Sequence, residues 1–343
     1  MIDRVFVTGA GGPSAISFMR AVGSHTELFS GDVDPYAAGL YLVEDSHRRI
    51  LLRGDDPDFA DHLLHVCREL DVNVLVPTVD NELLPVARRR DEFERSGIRV
   101  VLAHVDTLEL CLDKWKLIGA CERVCPVPAT SVLTRELINS EPALPLLVKP
   151  RHGAGGRGVV VIRKQAELEL CSDAGDLIAQ EFLTGREYSV DVLYSPSRER
   201  LAVVPRARLK VDSGISVTGI TIRSEQLQSY ATAVAERIRV TYVANIQFRD
   251  DACGRPKLLE VNARFPGGMP LTVAAGVNMP QLAIDLACGR PVSRGVGSFT
   301  AIAMVRTWQE HFVDVSEIAE QEAAAHSRDH GLFDTHVLVG NPT

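Results

Sequence analysis

The chain has 343 residues, 45% hydrophobic and 24% charged, the composition of a globular protein with enough apolar material for two or three domains. A formal charge of −8 excludes the overall basic balance of a typical nucleic-acid binder and favours a small-molecule partner. Seven cysteines, odd in number and without a CxxC pair, read as reduced thiols; residues 1–9 lack a signal-peptide run and no stretch reaches about 18 apolar residues, so a cytoplasmic protein is expected.

Val5, Phe6, Val7 and Thr8 run into Gly9-Ala10-Gly11-Gly12-Pro13-Ser14 and then a helical pattern over 15–22, the strand, Gly-rich turn and helix that open a parallel α/β sheet. A second strand over 28–33 ends on Asp34-Pro35, about where a nucleotide-binding βαβ unit carries its ribose-binding acid. The glycines depart from G-x-G-x-x-G, because Ser14 stands at the third position. The loop therefore reads as a tight turn packing helix on strand, as a seat for a substrate carboxylate at the helix N-terminus, or as the fingerprint of a nicotinamide-dependent dehydrogenase. A helix over 59–70 and strands over 72–77 and 99–102 continue the sheet, and Gly11, Asp34, Thr78, Asp80 and Glu82 fall where ligands of open α/β sheets gather. Helical patterning over 106–122 contains Asp113 and Lys114, after which Pro126 and Pro128 mark a candidate domain boundary.

Beyond it, a strand over 145–150 delivers Lys149 into Arg151-His152-Gly153-Ala154-Gly155-Gly156-Arg157-Gly158, and a further strand covers 159–162. Strand, Gly-rich loop, strand is a flap, and a P-loop is excluded because its lysine follows the glycines and opens a helix. The flap is either a flexible turn or a phosphate cover whose backbone N–H groups, His152 and Arg157 act with Lys149. Strands over 177–183 and 187–193 flank Thr184-Gly185; their ends offer backbone groups to an adenine edge, and Glu187 is either a ribose acceptor or a solvated strand-end acid. Arg206, Arg208 and Lys210 lie on one face of an extended segment, as an anion clamp or as charges guarding an edge strand. After a helix over 226–239, residues 244–248 and 258–264 alternate in polarity around a Gly-containing loop and predict a β-hairpin. Glu260, Asn262 and Arg264 then share one face opposite Asn245 and Gln247, a set suited to a hard, oxygen-seeking metal ion beside phosphate. A tight loop over 265–272, a helix over 280–288, a strand over 301–305 and an acidic helix over 318–326 follow, with no chemistry read in 290–343.

Taken in order, Asp113-Lys114, Val148-Lys149-Pro150, the 153–158 glycines, Gln180-Glu181-Phe182-Leu183 with Gly185-x-Glu187, Gln247, and Glu260-x-Asn262-x-Arg264 resemble the ATP-grasp ligases over residues 1–290. The branch is similar to the ATP-binding halves of carbamoyl phosphate synthetase large subunits. The resemblance implies a mixed α/β and α+β protein with the ATP-grasp fold: an N-terminal open parallel-sheet domain over 1–105, a linker helix and small central subdomain over 106–184, and a C-terminal α+β subdomain over 185–343. It implies ATP and Mg²⁺ gripped between the last two. By position, it puts Lys149 on the nucleotide phosphates with Lys114 nearby and Gly155 and Gly156 in the flap above them. Glu181 and Leu183 would lie by adenine, in one run with Gln180 and Phe182, and Glu187 by ribose. Gln247, Glu260 and Asn262 would hold Mg²⁺, and Arg264 would stabilise the transferred phosphoryl group; on chemical grounds Arg206 or Arg208 is expected to hold the carboxylate or the departing phosphate. Ala263 stands where many relatives have Pro, on the side facing away from the metal. The implied activity joins a small carboxylic acid to an amine through an acyl phosphate, giving an amide or peptide-like bond, ADP and phosphate. The alternative is an ATP-binding regulator without turnover. A single grasp unit argues against complete carbamoyl phosphate synthesis by this chain, and a homodimer is the commonest assembly for such an enzyme.

Overall fold

The computed structural model describes residues 2–153, 157–171, 175–293 and 295–326, arranged around three sheets. The first comprises β1 (Asp3–Thr8), β2 (Thr26–Asp32), β3 (Arg48–Ile50), β4 (Val74–Val76) and β5 (Arg99–Val100), all parallel in the order β3-β2-β1-β4-β5. Val5, Phe6, Val7 and residues 74–76 are wholly buried, as expected of parallel strands covered by helices on both faces. Those helices are α1 (Pro13–Met19), α2 (Phe59–Glu69), α3 (Asp80–Arg88) and α4 (Arg90–Arg95). Strand order reverses between β1 and β4, and that switch point is where such sheets open a crevice.

The helical pattern over 106–122 is two helices, α5 (Val105–Leu112) and α6 (Lys114–Cys121), because Asp113 between them is extended, at φ −105° and ψ 96°. Its carboxylate accepts from the Lys116 N–H at 3.1 Å and from Arg151 Nε and Nη2 at 2.8 and 2.7 Å, partners that a mid-helix position would not bring together. Burial raises its pKa, but the Arg151 and Lys116 hydrogen bonds outweigh it and hold the carboxyl at about 2. The junction of α5 and α6 is thereby tied to Arg151, just after β7.

The second sheet is antiparallel, β6 (Thr130–Val132), β7 (Leu146–Pro150), β8 (Val160–Ile162) and β9 (Leu177–Glu181), in the order β6-β9-β7-β8. The third is also antiparallel: β10 (Glu187–Tyr194), β11 (Arg200–Asp212), β12 (Ile215–Thr221), β13 (Tyr242–Asp250), β14 (Pro256–Asn262) and β15 (Ala303–Val305), ordered β14-β13-β10-β11-β12-β15. The two strands flanking Thr184-Gly185 thus belong to different sheets, and the connection is a crossover between layers. Gly185 is required there: its N–H donates to the Asp250 carbonyl at 3.0 Å, and a Cβ would come within 2.5 Å of Asp250 Cβ. Among the described residues no helix is long and apolar enough to cross a membrane.

After β15 the chain crosses to the first sheet, where the helix Val315–His326 docks. Val313, Ile318, Ala324 and Ala325 pack on Ala10, Ala37, Leu40, Tyr41 and Ile50, while Glu317 pairs with buried Arg48 at 2.8 Å and Glu322 accepts from the Tyr36 hydroxyl.

Candidate functional site

The β13–β14 ladder pairs Asn245 with Asn262, Ile246 with Val261 and Gln247 with Glu260, and then slips, so that Phe248 faces Leu258. Alternation alone would put Leu258 on the face of Glu260. The slip turns it into the core, fully buried, and leaves Gln247, Glu260 and Asn262 together on the opposite face, with Val261 and Ala263 beneath them. Asn262 Nδ2 donates to Glu260 Oε1 at 3.1 Å. One carboxylate and two amides, with no thiol or imidazole, form a hard oxygen donor set of the kind that takes Mg²⁺ with further phosphate or water ligands. Among the described residues no group of three His, Cys, Asp or Glu offers an all-protein metal cage, so a cation here would need such outside ligands.

The Glu260 carboxylate favours the charged form of four cations: Lys114, Lys149, Arg208 and Arg264. Lys149, on β7, is 6% exposed. Burial lowers its pKa to about 8, with Glu260 opposing and Lys114 assisting the shift, so phosphate would hold its proton in place. Lys114, also lowered by burial, donates its Nζ to the Gly153 carbonyl at the flap root. Arg208 donates to Gln247 Oε1 at 3.1 Å and to the Gly214 carbonyl at 2.7 Å, lies 3.5 Å from Glu187, and keeps a buried Nε without an acceptor. Arg264 lies beyond the end of β14 and forms a two-point pair with Asp80, the first residue of α3. Asp80, Lys114, Gly153, Glu260 and Asn262 line one cleft.

The cation row on β11 divides. Arg206 is 2% exposed and forms a two-point pair with Asp191, whose carboxylate also accepts from Asn245 and Thr272, so Arg206 serves the core. The β11–β12 register shifts between Arg208 and Lys210, and Lys210 is exposed. Near the crossover, Glu181 accepts from Lys257 Nζ at 2.6 and 2.7 Å, leaving backbone groups as its means of meeting an adenine edge. Gln180 is buried with Nε2 on Thr130 Oγ1 at 2.9 Å and Oε1 unpaired; Leu183 is buried, and the Phe182 ring lies under Arg163 at 5.7 Å. Glu187 is shared between Arg208 and Arg249, the latter at 3.0 Å. Gly155 and Gly156 lie outside the described residues.

In the first domain, Asp32 occupies the strand-end position expected of Asp34, because β2 ends at Asp32. Its carboxylate accepts from Gly11 N–H at 2.7 Å and Asp34 N–H at 3.0 Å, putting negative charge where a dinucleotide fingerprint would seat pyrophosphate. Glu82, 4% exposed, accepts from the Thr8 hydroxyl; burial, with Asp32 and Asp80 adding, pushes it up to about 8. Neither the docked C-terminal helix nor the Asp80–Arg264 pair was expected from the sequence, since both join residues far apart in the chain.

A family model described as "ATP-grasp in the biosynthetic pathway with Ter operon" matches residues 173–311, and a "PylC-like, N-terminal domain" model matches residues 12–101. The chain is 22% identical over 255 residues to the arginine-specific carbamoyl phosphate synthase large chain of Bacillus subtilis, covering 68% of this chain and 24% of that one. It is 24% identical over 226 residues to the carbamoyl phosphate synthase large chain of Corynebacterium glutamicum, covering 59% and 20%. It thus spans about a quarter of the length of these curated relatives. Among solved structures, the biotin carboxylase of Campylobacter jejuni in complex with β,γ-ATP has a TM-score of 0.72 at 15% identity over 87% of this chain and 74% of that one. An N5-carboxyaminoimidazole ribonucleotide synthetase in its ADP complex scores 0.70 at 16% identity, over 96% and 98%. An L-amino acid ligase from Bacillus licheniformis scores 0.63 at 18%, over 83% and 74%.

Proposed function

We propose that the chain is a member of the ATP-grasp superfamily and an ATP-dependent carboxylate–amine ligase making an amide or peptide-like bond, a reading supported by the family model over residues 173–311 and the N-terminal model over 12–101. The observation that carries the reading is the register that pairs Gln247 with Glu260 and Asn245 with Asn262, setting an oxygen donor set whose carboxylate favours the charged forms of Lys114, Lys149, Arg208 and Arg264. Mg²⁺ held by Gln247, Glu260 and Asn262 would neutralise phosphate charge and polarise the phosphoryl oxygens.

Lys149 and Lys114 bind the phosphates of ATP, and the Lys149 ammonium, costly in its buried setting, is stabilised by them. A substrate carboxylate oxygen attacks the γ-phosphorus, the β–γ bridging oxygen takes the bond pair, and ADP is released from an acyl phosphate. Arg264 opposes the charge that builds on the transferred oxygens, and Arg208, held against Gln247, sets positive charge toward the carboxylate or the departing phosphate. The amine nitrogen then attacks the acyl carbon, phosphate leaves with the C–O pair, and the nitrogen's proton passes to solvent.

The test is ADP release over a panel of small acids and amines, amino acids included. Acid-dependent ADP formation is expected with at least one pair, and Glu260→Ala should lower it by at least roughly 100-fold. Near-normal turnover in that variant would sink the metal assignment. ATP binding without ADP formation for any pair would instead favour a nucleotide-binding regulator.

A further inference from the structure

Arg264 is the residue of the phosphoryl end whose surroundings come from another domain. Its Nε donates to Asp80 Oδ1 at 2.7 Å and its Nη2 to Oδ2 at 2.8 Å, with side chains 17% and 19% exposed. Two parallel bonds fix the plane of a guanidinium as well as its position. Among the described residues, the remaining nitrogen, Nη1, meets only the Phe265 carbonyl, at 3.4 Å.

Both sides of this pair are held. Asp80 is the first residue of α3, at the C-terminal end of β4 and beside the switch point of the first sheet. On the other side, the turn after Arg264 is pinned at the Gly267 carbonyl by Arg306 Nη2 at 2.6 Å and by Ser17 Oγ of α1 at 3.4 Å. Gly267 also lies so close to Pro13 that a Cβ would come within 2.9 Å of its ring. An arginine on an unpinned turn, with a free side chain, would sample many rotamers; this one has a single edge left to offer.

We propose that Asp80 is a positioning residue, which orients Arg264 so that its Nη1 edge meets the phosphoryl group in transfer and which makes the first domain part of the transfer site. This rests on the ligase reading above and adds to it a residue from a domain outside the nucleotide grip. The alternative is an interdomain ion pair that holds the domains together and has no part in the chemistry.

Calorimetric binding of ADP with magnesium, and of ADP with magnesium and aluminium fluoride as a mimic of the transferring phosphoryl group, separates these roles without a known substrate. The parent protein is expected to bind ADP and to bind it more tightly when fluoride is added. Asp80→Asn should leave ADP affinity within about 2-fold while losing roughly 10- to 100-fold of the tightening, the scale set by a misplacement of about an ångström. Asp80→Glu, which keeps the charge but moves the guanidinium, should fall between the two. Full tightening in Asp80→Asn, or in Asp80→Glu should Asp80→Asn not fold, overturns the proposal. Equal losses of ADP affinity and of tightening also overturn it, as a merely structural pair would behave. A parent protein that binds ADP but shows no tightening removes the role of Asp80 and leaves nucleotide binding intact. A parent protein that binds no ADP removes the nucleotide reading itself.

Discussion

Glu82 is where pH acts on this molecule through a single side chain. Its carboxyl titrates at about 8 in the folded protein against an ordinary 4.5, chiefly because burial disfavours the anion, with the Asp32 and Asp80 charges adding to the effect. Between these values the folded chain keeps a proton that the unfolded chain has lost. Stability from the neutral carboxyl is therefore complete below about pH 4.5 and drains away as pH rises to about 8. Glu82→Gln keeps an acceptor for Thr8 and cannot ionise. It should match the parent near pH 5 and exceed it at pH 8 by about 2–4 kcal/mol, since each tenfold change in proton affinity is worth about 1.4 kcal/mol. Urea unfolding at the two pH values checks this, and a difference that does not grow with pH would refute it. The same physics explains why this residue was legible only in part. Its place after a strand end marked it as a crevice acid, whereas its burial beneath Thr8 and beside Asp32 depends on three strands meeting.

At the scale of elements, the break between α5 and α6 governs how the linker meets the flap. Asp113 caps α6 and holds Arg151 by two bonds, while the Lys114 N–H donates to the Arg151 carbonyl at 3.1 Å. Asp113→Ala removes the cap and the pair together, and should cost about 2 kcal/mol, since Arg151 can still reach water. Asp113→Asn retains an acceptor for the cap and should cost less. Denaturation midpoints give the order, and hydrogen exchange should rise at 114–117 and 151–153 in Asp113→Ala. Unchanged exchange there would mean that the flap root is held by other contacts. Periodicity over 106–122 could not show the break, because both helices carry the same 3.6-residue pattern, and although Asp113 caps α6 locally on the Lys116 N–H, its pairing with Arg151 joins residues about forty apart. The slip in the β13–β14 ladder is a similar case: alternation found Glu260 and Asn262 on one face, but not the bulge that sends Leu258 to the core.

For the molecule as a whole, residues 295–326 bind the first and third sheets together, through β15 on β12 and the helix Val315–His326 on the first sheet. Its apolar contacts with Leu40 and Ile50, and the pairing of Glu317 with buried Arg48, give the helix Val315–His326 a structural task that its composition did not announce. Ile318→Asp places a carboxylate in that contact and should undock the helix at a cost of about 2 kcal/mol. Hydrogen exchange over residues 36–50 is the direct readout, and protection equal to the parent's would show that the helix does not cover them.

By itself, the sequence determined the alternating faces, the glycine loops and the order in which lysine, acid, amides and arginine follow one another. These are local, since a period of two or of 3.6 and a backbone without Cβ act within a few residues of themselves. That order is enough to point to an ATP-grasp protein. Tertiary structure decided which partner each charge meets: Arg206 with Asp191, Glu181 with Lys257, Asp32 with the Gly11 loop and Arg264 with Asp80. Ion pairs depend on distance through space and on burial, and partners such as Asp80 and Arg264 stand 184 residues apart beside different sheets, so no pattern along the chain records their meeting.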